Sequence, residues 1–234
     1  MKTIGLIGGM SWESSQTYYR LINQGVRDAL GGLHSARLVM YSVDFAEIET
    51  LQHQGDWEAT ATILAKAARA LEAAGADFMV LCTNTMHKVA EQIEQAVSIP
   101  LLHIADATAS VLRSAGVTSV GLLGTRFTME QAFYRERLEQ QGIRVLIPEE
   151  SQRERVHGVI YDELCLGQIR DDSRKAYLDI VASLAERGAR GVILGCTEIG
   201  LLIQAADTEV ALYDTTRIHA EQAVRVALAD KPAD

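Results

Sequence analysis

Two stretches end an apolar run on a cysteine and a threonine: "VLCTNTMH" at 80–87 and "ILGCTEIG" at 193–200. In both, the polar residues that follow are suited to opening a helix. A thiol at a strand-to-helix junction is a candidate base or nucleophile, because its pKa of about 8.5 is lowered at helix N-termini. The same N–H groups can hold a carboxylate and stabilise charge that develops in a reaction. The two copies do not register by their cysteines. Counting forward from Gly75 and Gly188, which end the preceding helices, Cys82 falls opposite Gly195 and Thr83 falls opposite Cys196. Neighbouring side chains on a strand point to opposite faces, so one residue decides whether a thiol turns toward a site or into packing. On this count Thr83, not Cys82, is the internal partner of Cys196.

The elements that must carry these residues are short apolar runs alternating with longer amphipathic patterns, an α/β arrangement with largely parallel sheets. Strands are expected at 2–8, 36–43, 77–82 and 99–104, and again at 119–124, 143–148, 191–196 and 209–214. Their continuous apolar character fits strands covered on both faces. Helices are expected at 57–75 and at 128–142, the latter with Thr128 as its cap, and both stop at glycine. "KTIGLIGGM" answers "TSVGLLGTR", "AGADFMVLCTN" answers "RGARGVILGCT", and "IPLLHIADAT" answers "VALYDTTRI". This internal duplication predicts two similar α/β domains with parallel four-stranded sheets related by pseudo-twofold symmetry. The expected halves are 1–98 with 208–234, and 99–207. In open α/β sheets ligands bind beyond the carboxyl ends of strands, which places the expected site in the cleft between the halves.

Composition removes several classes of function. Net charge is -9, and no Lys- or Arg-rich stretch offers a nucleic-acid or anionic-membrane surface. No apolar run approaches bilayer length. Three cysteines make no disulfide framework, and the N-terminal "MKTIGLIGGMSWESS" does not read as a secretion signal, so a cytoplasmic location is expected. No C-x-x-C or H-E-x-x-H spacing points to a metal, and "GLIGGM" lacks the G-x-G-x-x-G spacing of a dinucleotide site.

With the GGM start, "CTNT", "GCTE" and the twofold repeat, the chain resembles the aspartate/glutamate racemase family over essentially its whole length. The likeness is to the amino-acid racemases of enteric bacteria in particular. The resemblance implies an amino-acid racemase needing no pyridoxal phosphate or other cofactor, a small-molecule amino-acid substrate, and a homodimer. It also implies two cysteines flanking the substrate Cα, one as base and one as acid. Laid on the family's Pro/Ala-Cys-Asn-Thr and Gly-Cys-Thr motifs, Asn84 and Thr85 match Asn-Thr. Thr83 then stands at the first cysteine and Cys196 at the second. Cys196 is the expected base for L-substrate, with Thr83 opposing it and Cys82 or His87 as a possible proton relay. Asn84, Thr85, Thr125, Thr128 and Thr197 match positions that hold the α-amino and α-carboxylate groups. Met10, Ser11 and Glu198 are assigned to the same pocket.

The cations that grip a distal carboxylate in archaeal aspartate racemases are replaced here by Glu47 and Cys165, with Arg126 as a possible substitute. The substrate is therefore open between acidic and neutral polar amino acids. Other readings of individual residues stand beside these. Cys82 and Cys165 can be packed small hydrophobes, His87 a cap or solvent-facing residue, and His103 a strand-end residue near the site. Two further readings of the whole chain also stand. One is a single-cysteine isomerase or decarboxylase of the same superfamily, maleate isomerase-like. The other is a non-catalytic small-molecule binding protein.

Overall fold

The computed structural model describes residues 1–229, which divide into two compact units. The first comprises Met1–His103 and the chain from His219 onward; the second is Ile104–Ile218.

The first unit holds β1 (Ile4–Gly8), α1 (Trp12–Leu30), β2 (Leu38–Ser42), α2 (Phe45–Gln54) and α3 (Trp57–Ala73). They are followed by β3 (Phe78–Leu81), a single 3₁₀ turn over Thr85–Val89, α4 (Ala90–Glu94) and β4 (Leu101–Leu102). The second unit opens with α5 (Ile104–Ser114), β5 (Ser119–Gly124), α6 (Arg126–Glu130), α7 (Ala132–Glu139) and β6 (Arg144–Leu146). It continues through α8 (Glu150–Asp162), α9 (Asp171–Glu186), β7 (Val192–Gly195), α10 (Ile199–Leu202) and β8 (Leu212–Asp214). The last helix, α11 (Thr215–Leu228), carries the chain back to the first unit.

Each unit contains one parallel four-stranded sheet, in the orders β2-β1-β3-β4 and β6-β5-β7-β8. The fold is thus α/β with two similar sheets, as the repeat requires. The run at 99–104, expected to open the second half, contributes only β4, which pairs with β3 in the first sheet. The run at 209–214 contributes β8, which pairs with β7 in the second. The unit boundaries accordingly fall at His103/Ile104 and Ile218/His219 rather than near 98 and 207. The edge strand β2 is half-exposed, unlike the fully buried β1, β3 and β7, so it lacks the two-sided cover expected of every strand.

The same packing solution recurs in both units. Thr60, Ala61, Leu64, Ala67, Ala68 and Leu71 form the buried face of α3, at helical spacing. Burying Leu64 and Leu71 stabilises this contact by roughly 1.5–3 kcal/mol each. Gly5 lets α3 approach the sheet: a Cβ there would lie 2.9 Å from Ala76 and 3.2 Å from Leu71. Gly121 does the same for α9, where an added Cβ would lie 2.8 Å from Leu184. Helix starts repeat too. Ser11 caps α1 by accepting from the Ser14 N–H at 3.3 Å, and Thr125 caps α6 by accepting from the Thr128 N–H at 3.3 Å. Thr128 is therefore inside the first turn rather than the cap. The single helix expected at 128–142 is two, because Gln131 is extended (ψ 150°) between α6 and α7. No helix among the described residues is long and apolar enough to cross a membrane.

Candidate active site

The period-two register of β3 decides where its cysteine goes. Phe78, Val80 and Cys82 belong to the core packed by Tyr18, Ile22 and the α11 residues Ala220, Ala223 and Val224. Met79 and Leu81 face the opposite core, under Leu64 and Leu71. Cys82 is fully buried, and burial alone pushes its thiol far above the ordinary range. It is a packed thiol and a poor proton carrier. Thr83, the next residue, keeps part of its surface open.

The second unit repeats this pattern one residue out of step in its chemistry. Val192 and Leu194 face the core built on α8 and α9, Ile193 faces the core of α5 and α7, and Cys196 packs partly against the former. Leu81 pairs with Ile7 and Leu194 pairs with Leu123 at matching places in the two sheets. Thr83 and Cys196 each lie two residues past these leucines. The strand pairing therefore equates Thr83 with Cys196, as the ungapped count requires.

Both carbonyls around Thr83 are held. The Ser14 hydroxyl donates to the Cys82 carbonyl at 2.9 Å, and His87 donates from Nδ1–H to the Thr83 carbonyl at 2.8 Å. His87 is buried, not solvent-facing. Burial and the neighbouring His103 and His219 rings lower its pKa well below the ordinary value, so it is neutral at pH 7. Its ring centroid lies 4.5 Å from that of His103 and 5.9 Å from that of His219. His219 donates from Nε2 to the Leu102 carbonyl at 2.7 Å, and its Nδ1 accepts from the Tyr18 hydroxyl at 2.9 Å. These carbonyl bonds fix the tautomers of His87 and His219. Ser14, Tyr18 and His219 were not singled out from the sequence. Ser14 had a local signal, three residues past a helix cap. Tyr18 and His219 had none, being 201 positions apart.

Around Cys196 the partners are acidic or neutral. Its Sγ donates to Glu198 Oε2 at 2.9 Å, and the Thr197 hydroxyl donates to the same oxygen at 2.6 Å. Cys196 is partly exposed and Glu198 is buried. Desolvation, then the Glu198 carboxylate and Cys165, raise the Cys196 pKa well above its ordinary value. The resting group is thus a thiol hydrogen-bonded to a carboxylate, not the free thiolate that a helix N-terminus alone would favour.

The other assigned residues are distributed between the units. Met10, Ser11, Asn84 and Thr85 are buried in the first unit, with Ser11 occupied as the α1 cap. Thr125 and Thr128 are buried in the second, their hydroxyls 3.3 Å apart. Glu47 is exposed on α2, and Arg126 is exposed at the start of α6. Cys165, in a one-turn 3₁₀ helix over Leu164–Leu166, packs against the core that also receives Cys196.

These features define a duplicated α/β protein whose strand ends carry a thiol in one unit and a hydroxyl at the equivalent place in the other. Comparison with known proteins gives its class. A family model for Asp/Glu/hydantoin racemases matches residues 7–223. A solved structure of a candidate Asp/Glu racemase from Yersinia pestis is 56% identical, covers 97% of this chain and 100% of its own, and superposes with a TM-score of 0.92. The structure of an aspartate racemase homologue from Pyrococcus horikoshii is 35% identical over 97% of this chain and 99% of its own, with a TM-score of 0.85. A broad-specificity amino-acid racemase of Bacillus subtilis is 26% identical over 162 residues, 68% of each chain. The chain belongs to the Asp/Glu/hydantoin racemase family, and as an amino-acid racemase it is an isomerase.

Proposed function

We propose that the protein racemises amino acids without a cofactor, Cys196 serving one face of the substrate Cα and Thr83 the other. The observation that carries this reading is the equivalence of the two positions in their sheets, each just past a buried strand. Removing a Cα proton and returning one to the opposite face needs a proton-carrying group on each side. Cys196 passes its thiol proton to Glu198 Oε2, breaking S–H as O–H forms. The thiolate then takes the Cα proton of the L-substrate. Thr83 delivers its hydroxyl proton to the opposite face, O–H breaking as C–H forms. The alkoxide regains a proton from solvent while Glu198 releases its own to solvent, and the Thr83 backbone is held by Ser14 and His87. Asn84, Thr85 and the helix starts at Ser11 and Thr125 bind the α-carboxylate and α-amino groups.

The reading favours an uncharged polar side chain over a second carboxylate. Glu198 and Cys165, the groups that act electrostatically on Cys196, supply no cation, and Glu198 would repel an acidic substrate. Incubation with L-aspartate, L-glutamate and neutral L-amino acids in D₂O, followed by proton NMR and circular dichroism, tests both parts. Cα exchange with loss of chirality, greatest for a neutral polar substrate and abolished in Cys196→Ser, is the expected result. Full activity of Cys196→Ser ends the proposal. Exchange with retained configuration supports instead a single-cysteine enzyme, in which Thr83 delivers no proton.

A further inference from the structure

The internal repeat breaks down at one place beside the second sheet, where it leaves a cavity. Thr83 and Cys196 are equivalent, so four residues on His87 is equivalent to Gly200. Leu101 and Leu212 pair with the equivalent residues Met79 and Val192, so His103 is equivalent to Asp214. In the first unit these positions are filled by two rings 4.5 Å apart. In the second, Gly200 leaves the space open, and a Cβ there would lie 3.1 Å from Asp214 Oδ2. A cavity of about 530 Å³ results, with Val111, Ile203, Leu212 and Tyr213 among its walls, and Asp214 and Arg217 as its charged groups. That volume is in the range of small-molecule sites. None of Cys196, Thr197 and Glu198 is among the residues lining it.

The two charges are available in different ways. Asp214 Oδ1 accepts the N–H groups of Thr216 and Arg217 at 2.9 and 3.2 Å, and Oδ2 is left to the side of Gly200. Burial, its largest influence, raises the Asp214 pKa despite those bonds and despite the lowering effect of the nearby Arg217 charge. Arg217 is exposed, and no carboxylate among the described residues lies within ion-pair distance of it. Its guanidinium, at the first turn of the 14-residue α11, suits a carboxylate.

We propose that this cavity is a binding site for a zwitterionic α-amino acid with an apolar side chain. The ammonium group sits on Asp214, the carboxylate on Arg217, and the side chain on Val111, Ile203 and Leu212. The proposal is independent of the racemase reading.

The probe is cycloleucine, an achiral α-amino acid with no Cα proton, which no racemase can turn over. Titrated into the ¹⁵N-labelled full chain, it is expected to give saturable amide shifts at Gln204, Ala205 and Arg217. Cyclopentanecarboxylate, which lacks the ammonium group, is expected to give none. Asp214→Asn should weaken binding at least tenfold while keeping the helix cap, since Asn caps as well as Asp. Arg217→Met, outside the core, should weaken it similarly and serves if Asp214→Asn loses its dispersed spectrum. Shifts confined to Thr83–Thr85 and Cys196–Glu198, no shifts at all, or unchanged affinity in either folded variant would overturn the proposal.

Discussion

The thiol of Cys196 lies 2.9 Å from Glu198 Oε2, an oxygen that also accepts the Thr197 hydroxyl. A carboxylate this close stabilises the protonated thiol and opposes a thiolate, the reverse of what is usual for a reactive cysteine. The pair makes sense when the carboxylate is the acceptor for the proton that must leave before the thiol can act as a base. Glu198→Gln then separates two effects. Removing the negative charge lowers the Cys196 pKa, so iodoacetamide alkylation at pH 8 becomes several-fold faster. Removing the proton acceptor lowers kcat for L-substrate by about 10²-fold or more, the scale of one general base. Slower or unchanged alkylation would show that Glu198 does not control the thiol.

Thr83 and Cys82 make opposite predictions although they are neighbours. Cys82→Ala removes a packed sulfur from the core around Tyr18 and Val80. It should cost about 1 kcal/mol of stability, measurable by urea denaturation, and leave turnover near wild type. A turnover loss matching that of Thr83→Ala would restore Cys82 as a relay.

Thr83→Ala should keep the protein folded and abolish inversion by about 10²-fold or more. Deuterium exchange at Cα of the L-substrate should continue with retention of configuration, because Cys196 still serves its own face. Loss of exchange together with inversion would place Thr83 in substrate binding rather than proton delivery.

Much of this arrangement is legible in the chain because glycine marks the register. Gly75 and Gly188 both have positive φ, 85° and 99°, and each fixes the helix exit from which the next strand is counted. That shared origin is why the equivalence of Thr83 and Cys196 can be read before any coordinates. The strand cores were legible for a related reason, since buried parallel strands are continuous apolar runs. The crossings between units were not. β4 has two residues and little signal of its own, and nothing local says that α5, following it directly, belongs to the second unit. The burial of His87 is not legible because one 3₁₀ turn has no periodicity to reveal a buried face. Its cover comes from His103 and from His219, distant in the chain.

The buried histidines set the last prediction. Burial depresses the His219 pKa to about 4, and His87 is lowered well below 6.5 by burial and by its two histidine neighbours. Both are neutral in the folded protein at pH 7. In the unfolded chain each binds a proton as pH falls through about 6.5. Between that value and the folded-state pKa the unfolded state holds more protons, so stability decreases as pH decreases. Above pH 6.5 neither group contributes to the slope. For His219 the window runs from 6.5 down to about 4, and the loss across it is on the order of 3 kcal/mol. Calorimetry from pH 7.5 to 4.5 should show Tm falling mainly below pH 6.5. His219→Gln retains a side-chain N–H for the Leu102 carbonyl but cannot titrate, so its Tm should fall less steeply over the same window. An equal slope in the variant would show that His219 takes up its proton alike in the folded and unfolded chain, and that burial does not hold it neutral.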